Sequence, residues 1–258
     1  GRLLDLFEQK CLNFGSVQAL VLDEADRMLD MGFIPDVTRI INLLPKDTRQ
    51  SLLFSATFSN EIKKLADTML KSPELVEVAK RNTVSETITH RVHPVAADAK
   101  RELLTRLLKS DEFDQVLVFT RTKQETGKLA RELAKSGIAA DAIHGDKSQS
   151  ERLKALEAFK DGSVKVLVAT DVAARGLDID ELPHVINFEL PHTPEDYVHR
   201  IGRTGRAGKK GTAVSLVSAD EVQYLVDIEK LIKIAVDQVV IPGFEPEYDY
   251  EYPPTGRK

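Results

Sequence analysis

Short β-branched runs recur along this sequence, each followed by a longer amphipathic stretch. That alternation restricts the fold more than any other feature. The runs are VQALVL (17–22), SLLFSA (51–56), LVEVA (75–79), QVLVFT (115–120), AADAIH (139–144), VKVLVAT (164–170), HVINFE (184–189) and TAVSLVS (212–218). Patterns such as SNEIKKLADTMLK and TKQETGKLARELAKSG lie between them. In the second, Leu129 and Leu133 mark an apolar face at i, i+4, and Gly137 supplies the stop. Strands alternating with helices of this length predict right-handed βαβ units: an α/β fold of open parallel sheets with helices on both faces.

A polar stretch without periodicity, KRNTVSET, marks a seam near residues 80–87. Five candidate strands follow it, enough for a complete open α/β domain, whereas only three precede it. The expected organisation is therefore a partial domain with its linker (1–82), a complete domain (83–236) and a tail (237–258). The tail carries GFEPEYDYEYPPTGRK, which has no apolar period and reads as disordered or draped.

With 258 residues, 42% of them hydrophobic, the chain can build a sizeable core. Its single cysteine, Cys11, excludes an intramolecular disulfide and suits a reducing compartment. No apolar run approaches the roughly 18 residues of a membrane span, and the opening residues lack the form of a signal peptide. The expectation is a soluble, cytoplasmic protein without a membrane partner. A formal charge of −5 argues against a basic nucleic-acid coat but permits a local basic site.

Several segments carry candidate chemistry. In LVLDEADRMLD, Asp23 stands where a strand turns into a helix, the crevice where open α/β sheets bind ligands. A carboxylate there can hold Mg²⁺ directly or through water, and Glu24 can orient or deprotonate an attacking water. The same acids also suit a helix N-terminus through the macrodipole. HRIGRTGRAGKK (199–210) is rich in arginine and glycine and holds no acid, so it is expected to fray into a loop after its start. Arg203 and Arg206 can converge on one phosphate there, against the plainer reading of a solvated basic loop. Thr170 and Asp171 end another strand, with Asp178 and Asp180 after Gly176; most such acids form turns. In IHGDKSQSER, Gly145 follows a strand, Ser148 and Glu151 form a capping box, and Arg152 adds charge near free helix amides. SATF (55–58) is an N-cap candidate. No G-x-x-x-x-G-K-[ST] phosphate cradle occurs. Gly127-Lys128 is followed by Leu129 and lies inside an amphipathic helix with no free loop amides.

Taken in order, DEAD (23–26), SAT (55–57), VLVFTRTK (116–123), HGDKSQSER (144–152), ATDVAARGLDID (169–180) and HRIGRTGR (199–206) resemble the motifs of the DEAD-box ATP-dependent RNA helicases of superfamily two, in a bacterial style. Gly1-Arg2 looks like the end of the preceding motif. The resemblance covers about 200 residues. It implies two RecA-like domains that close over ATP and grip RNA by its sugar-phosphate backbone, with little sequence preference. It further implies Asp23 as the Mg²⁺ ligand through water and Glu24 as the residue activating the hydrolytic water. Asp26 would bridge to the SAT segment, while Ser55, Thr57 and His199 would couple nucleotide state to strand separation. Arg203 and Arg206 would be arginine fingers, and Gly176 and Asp178 would approach the ribose. Arg2, Thr120, Arg121, Gly145, Arg152, Thr170 and Asp171 would meet RNA.

These 258 residues contain no counterpart of the family's adenine-reading glutamine motif or its lysine-bearing phosphate loop. The expectation is the carboxyl-terminal part of an RNA helicase, inactive as an ATPase by itself, with its first sheet missing flanking strands and exposing apolar edges. A non-catalytic RNA- or protein-docking module is the alternative.

Overall fold

The computed structural model describes residues 1–56, 59–76, 87–175, 177, 179, 182–205 and 209–246. Thr57, Gly176, Asp178 and Arg206 lie outside the described residues. So do most of the 80–87 seam, residues 77–79 of the LVEVA run and the tail from residue 247. The chain divides into two compact units, Gly1–Thr83 and Val84–Lys258.

The first unit holds two parallel strands, β1 (Ala19–Leu22) and β2 (Gln50–Leu53), with Ala19 opposite Gln50 and Leu22 opposite Leu53. Its helices are α1 (Arg2–Glu8), α2 (Ala25–Asp30), α3 (Ile34–Leu43) and α4 (Asn60–Met69). The period-2 alternation of a strand sends Leu22 and Leu53 toward Val37, Ile41, Ile62, Leu65 and Met69 of α3 and α4. On the opposite face Val21, Leu52 and Phe54 remain exposed, Val21 and Phe54 at 55% and 54%. The N-cap of α4 is Ser59, whose Oγ accepts from the Ile62 amide at 3.3 Å. The cap expected in SATF therefore falls just after that segment. Leu75 and Val76 form no strand and are exposed, so the described part of LVEVA does not extend the sheet.

The second unit is built on a seven-stranded sheet among the described residues. In chain order its strands are β3 (Ile88–Pro94), β4 (Val116–Thr120), β5 (Ala140–Ile143), β6 (Val166–Thr170), β7 (His184–Asn187), β8 (Gly211–Val217) and β9 (Asp237–Gln238). They lie in the order β5-β6-β4-β7-β8-β3-β9, every pair parallel. Between them run α5 (Lys100–Leu108), α6 (Lys123–Lys135), α7 (Gln149–Lys160), α8 (Asp171–Ala174), α9 (Pro194–Ile201) and α10 (Val222–Ile232). Alternate residues of one strand feed opposite faces. Val116 and Val118 join Leu103, Leu104, Leu129 and Leu133 of α5 and α6. Leu117 and Phe119 join Ala155, Leu156 and Phe159 of α7. A third cluster packs α9 and α10 against β3 and β8. Each of β4 and β6 is buried along its whole length, as expected for parallel strands covered on both sides.

Two parts of this unit depart from the sequence reading. β3 (ITHRVHP) has only two aliphatic residues, and two of its inward positions are His90 and His93, so an apolar count misses it. The boundary at 236 is also too early. β9 pairs with Arg91 and Val92, the Val239 amide donates to the Val92 carbonyl at 2.8 Å, and Phe244 is buried in the main core. The strand edge of β3 needs hydrogen-bond partners and Phe244 needs cover, so residues 237–244 are held on the unit although their sequence lacks a period.

Candidate functional site

At the end of β1 the first unit makes a tight turn into α2. Glu24 takes left-handed backbone angles (φ 51, ψ 47), and its amide donates to Asp23 Oδ1 at 2.9 Å. The turn is tied to the neighbouring strand end: the Phe54 amide donates to the Leu22 carbonyl at 2.7 Å, and the Ala25 amide to the Phe54 carbonyl at 3.0 Å. A non-glycine residue rarely adopts this conformation, and such strain gathers at functional turns. Asp23 is exposed and Glu24 half-buried, whereas Ala25, Asp26 and Arg27 are buried. The first two acids of DEAD thus face solvent and the last is part of the interior. The Ser55 hydroxyl is buried beside this strand end. Among the described residues no group of three acidic, histidine or cysteine side chains is arranged as a metal cage. One or two exposed carboxylates do suit Mg²⁺, which keeps waters and takes its remaining ligands from phosphate.

In the second unit all strands are parallel, so their carboxyl ends share one rim. Because β5, β6 and β4 are adjacent, that rim brings together Thr120 and Arg121, the loop with Gly145, and Thr170 with Asp171, segments far apart in the chain. Gly145 is exposed with open space around it. Arg152, on α7, donates from Nη2 to the Ala173 carbonyl at 3.2 Å and links α7 to α8. The capping box of Ser148 and Glu151 forms, and its hydrogen bonds hold the Glu151 carboxyl below the usual carboxylate range.

Three residues expected to meet RNA are committed elsewhere. Thr120 is fully buried, its Oγ1 2.6 Å from Thr126 Oγ1, because it ends a strand enclosed on both faces. Its hydroxyl fastens β4 to α6 and is not available to a ligand. Thr170 Oγ1 accepts from the Ala173 amide and caps α8. Both carboxylate oxygens of Asp171 accept from Arg200, at 2.6 and 2.8 Å. Arg2, in the first unit, is exposed and pairs with Asp5 at 2.7 Å.

α9 presents the basic motif. Its helical part stops at Ile201 and the chain continues as a loop. A pocket beside it is lined by Asp171, Arg175, Asp196, His199, Arg200 and Arg203. Arg203 Nη1 donates to the Leu177 carbonyl at 3.2 Å, and Arg175 pairs with Asp196 at 3.1 Å. Arg200 is only 1% exposed; it also donates to Asn187 Oδ1 and the Glu189 carbonyl, and lies over the Phe119 ring. Beneath α9, His90 Nδ1 and the Tyr197 hydroxyl are 2.8 Å apart. Burial drives the His90 pKa down to about 4 and raises that of Tyr197, so the pair is neutral and anchors the helix without charge.

The sequence reading missed the internal roles of Arg200, Arg175 and Asp196, as well as an ion cluster in which the buried Lys100–Glu221 pair meets the half-buried Arg121 and Glu189. A basic run does not reveal which of its members turns inward. Glu221 did carry a weak signal, at the start of a helical pattern just after the TAVSLVS strand. Burial outweighs the attraction of Glu221 and lowers the Lys100 pKa.

Residues 1–65 match the DEAD/DEAH box helicase family and residues 99–208 the Helicase conserved C-terminal domain family. The chain is 47% identical over 233 residues to the ATP-dependent RNA helicase RhlB of Pseudomonas aeruginosa, covering 90% of this chain and 59% of that protein. It is 45% identical over 245 residues to the DEAD-box ATP-dependent RNA helicase CshA of Bacillus cereus, covering 95% and 46%. It therefore spans about half the length of the curated relatives it matches. Among solved structures, Saccharomyces cerevisiae Dbp5 bound to RNA and ADP BeF3 aligns with a TM-score of 0.83 at 33% identity, covering 92% of this chain and 63% of that one. The E. coli DEAD-box protein SrmB bound to regulator of ribonuclease activity A aligns at 0.61 and 38% identity, covering 64% of this chain and 98% of that one.

Proposed function

The chain belongs to the DEAD-box helicases and has their RecA-like fold, and from that premise we propose that it supplies part of the machinery of an ATP-dependent RNA helicase. The observation that carries this reading is the strained turn at Asp23-Glu24, which sets one exposed and one half-buried carboxylate side by side at the end of a parallel strand. Mg²⁺ held there would bring the charge of ATP phosphates to this edge. Asp23 would hold it through water, and Glu24 would orient and accept a proton from the attacking water. Arg203, with Arg206, would stabilise the charge of the transferring phosphoryl group, a role worth roughly 10³–10⁵ in rate. Gly176 and Asp178 would approach the ribose. Ser55, Thr57 and His199 would couple nucleotide state to RNA strand separation, with Asp26 bracing the SAT segment from inside.

RNA would lie along the carboxyl rim of the second sheet. Gly145, Arg121 and Arg152 would receive its phosphates on that rim, and Arg2 would meet RNA on the first unit. Such binding reads backbone and shape, needs few cations and accommodates a net charge of −5.

These residues include no phosphate-cradling loop, so the 258-residue chain is expected to bind RNA without hydrolysing ATP. The test is phosphate release by two proteins: this chain alone, and this chain fused to the portion of the P. aeruginosa RhlB relative that lies outside their match. RNA-stimulated release should appear only in the fusion and disappear in Glu24→Gln. An inert fusion would defeat the helicase reading. Turnover by the chain alone that is lost in Glu24→Gln would defeat the expectation that it cannot hydrolyse ATP.

A further inference from the structure

Glu221 is fully buried at the end of a short 3-10 helix (Ala219–Glu221), and its carboxylate gathers four segments of the second unit. Oε1 accepts from the Leu190 amide at 3.0 Å, just past β7. Oε2 accepts from the amide and hydroxyl of Ser218, both at 3.2 Å, just past β8. Lys100, 4% exposed at the start of α5, donates to Oε2 and to the Phe188 carbonyl. Arg121, just past β4, brings Nη2 within 3.5 Å of Oε1.

Arg121 is held a second time by Glu189. Its amide donates to Oε2 at 2.7 Å and its Nε to Oε1 at 3.3 Å. Two carboxylates therefore engage Nε and Nη2, while Nη1 has no partner among the described residues. The side chain keeps 22% of its surface exposed. A guanidinium is a rigid planar fork, so fixing one edge fixes the direction of the other. Two acids and two bases in the cluster balance in charge, so the arrangement supplies direction more than attraction.

We propose that the buried Glu221–Lys100 pair is a positioning device that fixes Arg121 so that its Nη1 meets a backbone phosphate of bound RNA. This rests on the reading of the carboxyl rim as an RNA surface. Neither Glu221 nor Lys100 would touch RNA; both act through Arg121. An unpaired buried charge is costly, whereas removing both partners together is often tolerated. The pair is therefore best tested by Lys100→Met combined with Glu221→Gln in one chain.

The measurement is fluorescence anisotropy of a short labelled oligouridine titrated with the 258-residue chain over a range of salt. Arg121→Ala should weaken binding several-fold and lower the slope of log affinity against log salt by about one, the signature of a lost phosphate contact. The Lys100→Met/Glu221→Gln chain should keep its cooperative unfolding transition yet show the same loss of slope, and adding Arg121→Ala to it should change nothing further. Arg121→Lys should fail to restore the slope, because an ammonium cannot serve both acids and a phosphate. If the double variant binds with native slope while Arg121→Ala does not, the positioning inference is overturned and the RNA surface stands. If Arg121→Ala is also native in slope, Arg121 is no phosphate contact and the inference falls with it. If the native chain binds no RNA, the reading of the rim fails first. Should the double variant not fold, the inference is judged on Glu189→Gln, which loosens Arg121 without unpairing Lys100 and should reproduce the loss of slope.

Discussion

The two units use the same local device, a parallel strand whose carboxyl end turns into a helix bearing charged residues, but they enclose it differently. In the second unit β4 and β6 are buried at every position, and helices cover both faces. In the first unit a two-stranded sheet is covered on one face only, and Val21, Leu52 and Phe54 stand open on the other. The strained Asp23-Glu24 turn nonetheless forms, held by two backbone hydrogen bonds to the strand beside it. A site's backbone geometry can thus be set by one neighbouring strand. The first unit buries Asp26 and Arg27 beside that turn, whereas the enclosed sheet of the second unit carries Arg200 and Glu221 at 1% and 0% exposure, each tied to several segments.

That contrast can be attacked experimentally because the two units report separately. Residues 1–83 hold no tyrosine and the chain has no tryptophan, whereas Tyr197 and Tyr224 lie in helices of the second unit, so tyrosine fluorescence does not report on the first unit. The largest effect should come from Arg200→Ala, which strands Asp171 and Asn187 without their buried partner. Loss of about 3–5 kcal/mol is expected in tyrosine-monitored urea unfolding. A change below 1 kcal/mol would mean that the enclosed charge is not structural.

Acid should separate the units next. An unfolded chain protonates its histidines near 6.5, while folded His90 resists until about 4. Between those values the unfolded state binds the extra proton, so stability contributed by neutral His90 is complete above 6.5 and lost as pH falls toward 4. The expected loss is up to about 3 kcal/mol, with His93 and His184, also lowered by burial, adding in the same direction. The first unit has no histidine and lacks this dependence. His90→Asn should flatten the tyrosine-monitored profile; a native profile already flat across that window contradicts a buried neutral His90.

A smaller effect is expected from Ser148→Ala, which opens the capping box of α7 and should cost about 1 kcal/mol in the same unfolding measurement. The smallest should be Phe54→Ser in the first unit. Phe54 is 54% exposed, so stability should shift by no more than about 0.5 kcal/mol while self-association measured by light scattering declines. A large loss in that variant would show that the open face is already covered.

Much of this was legible in the chain. The runs that became β4, β6 and β8 are β-branched and bounded, and the α6 face of Leu129 and Leu133 with its Gly137 stop forms as read, with Gly137 at φ 83. β3 was not legible because histidines take inward positions that pattern reading assigns to aliphatics. Strand-end hydroxyls were equally hard to read: the chain does not reveal that Thr120 pairs with Thr126 or that Thr170 Oγ1 accepts from the Ala173 amide as a helix cap.

By itself the sequence determined the α/β class, the order of the motifs and the family, since strand period, helix period and motif spacing are local properties of the chain. Only the tertiary structure decided which charges face a ligand. Asp23 and Asp26, three positions apart, have opposite fates, one exposed and the other buried; Arg200 is a buried anchor, whereas Arg203 stays half-buried. The physical reason is that burial and pairing depend on which distant strands become neighbours. A side chain's charge is written in its own residue, but its direction is set by segments such as β4, β6 and β7, brought side by side from scattered stretches of the chain.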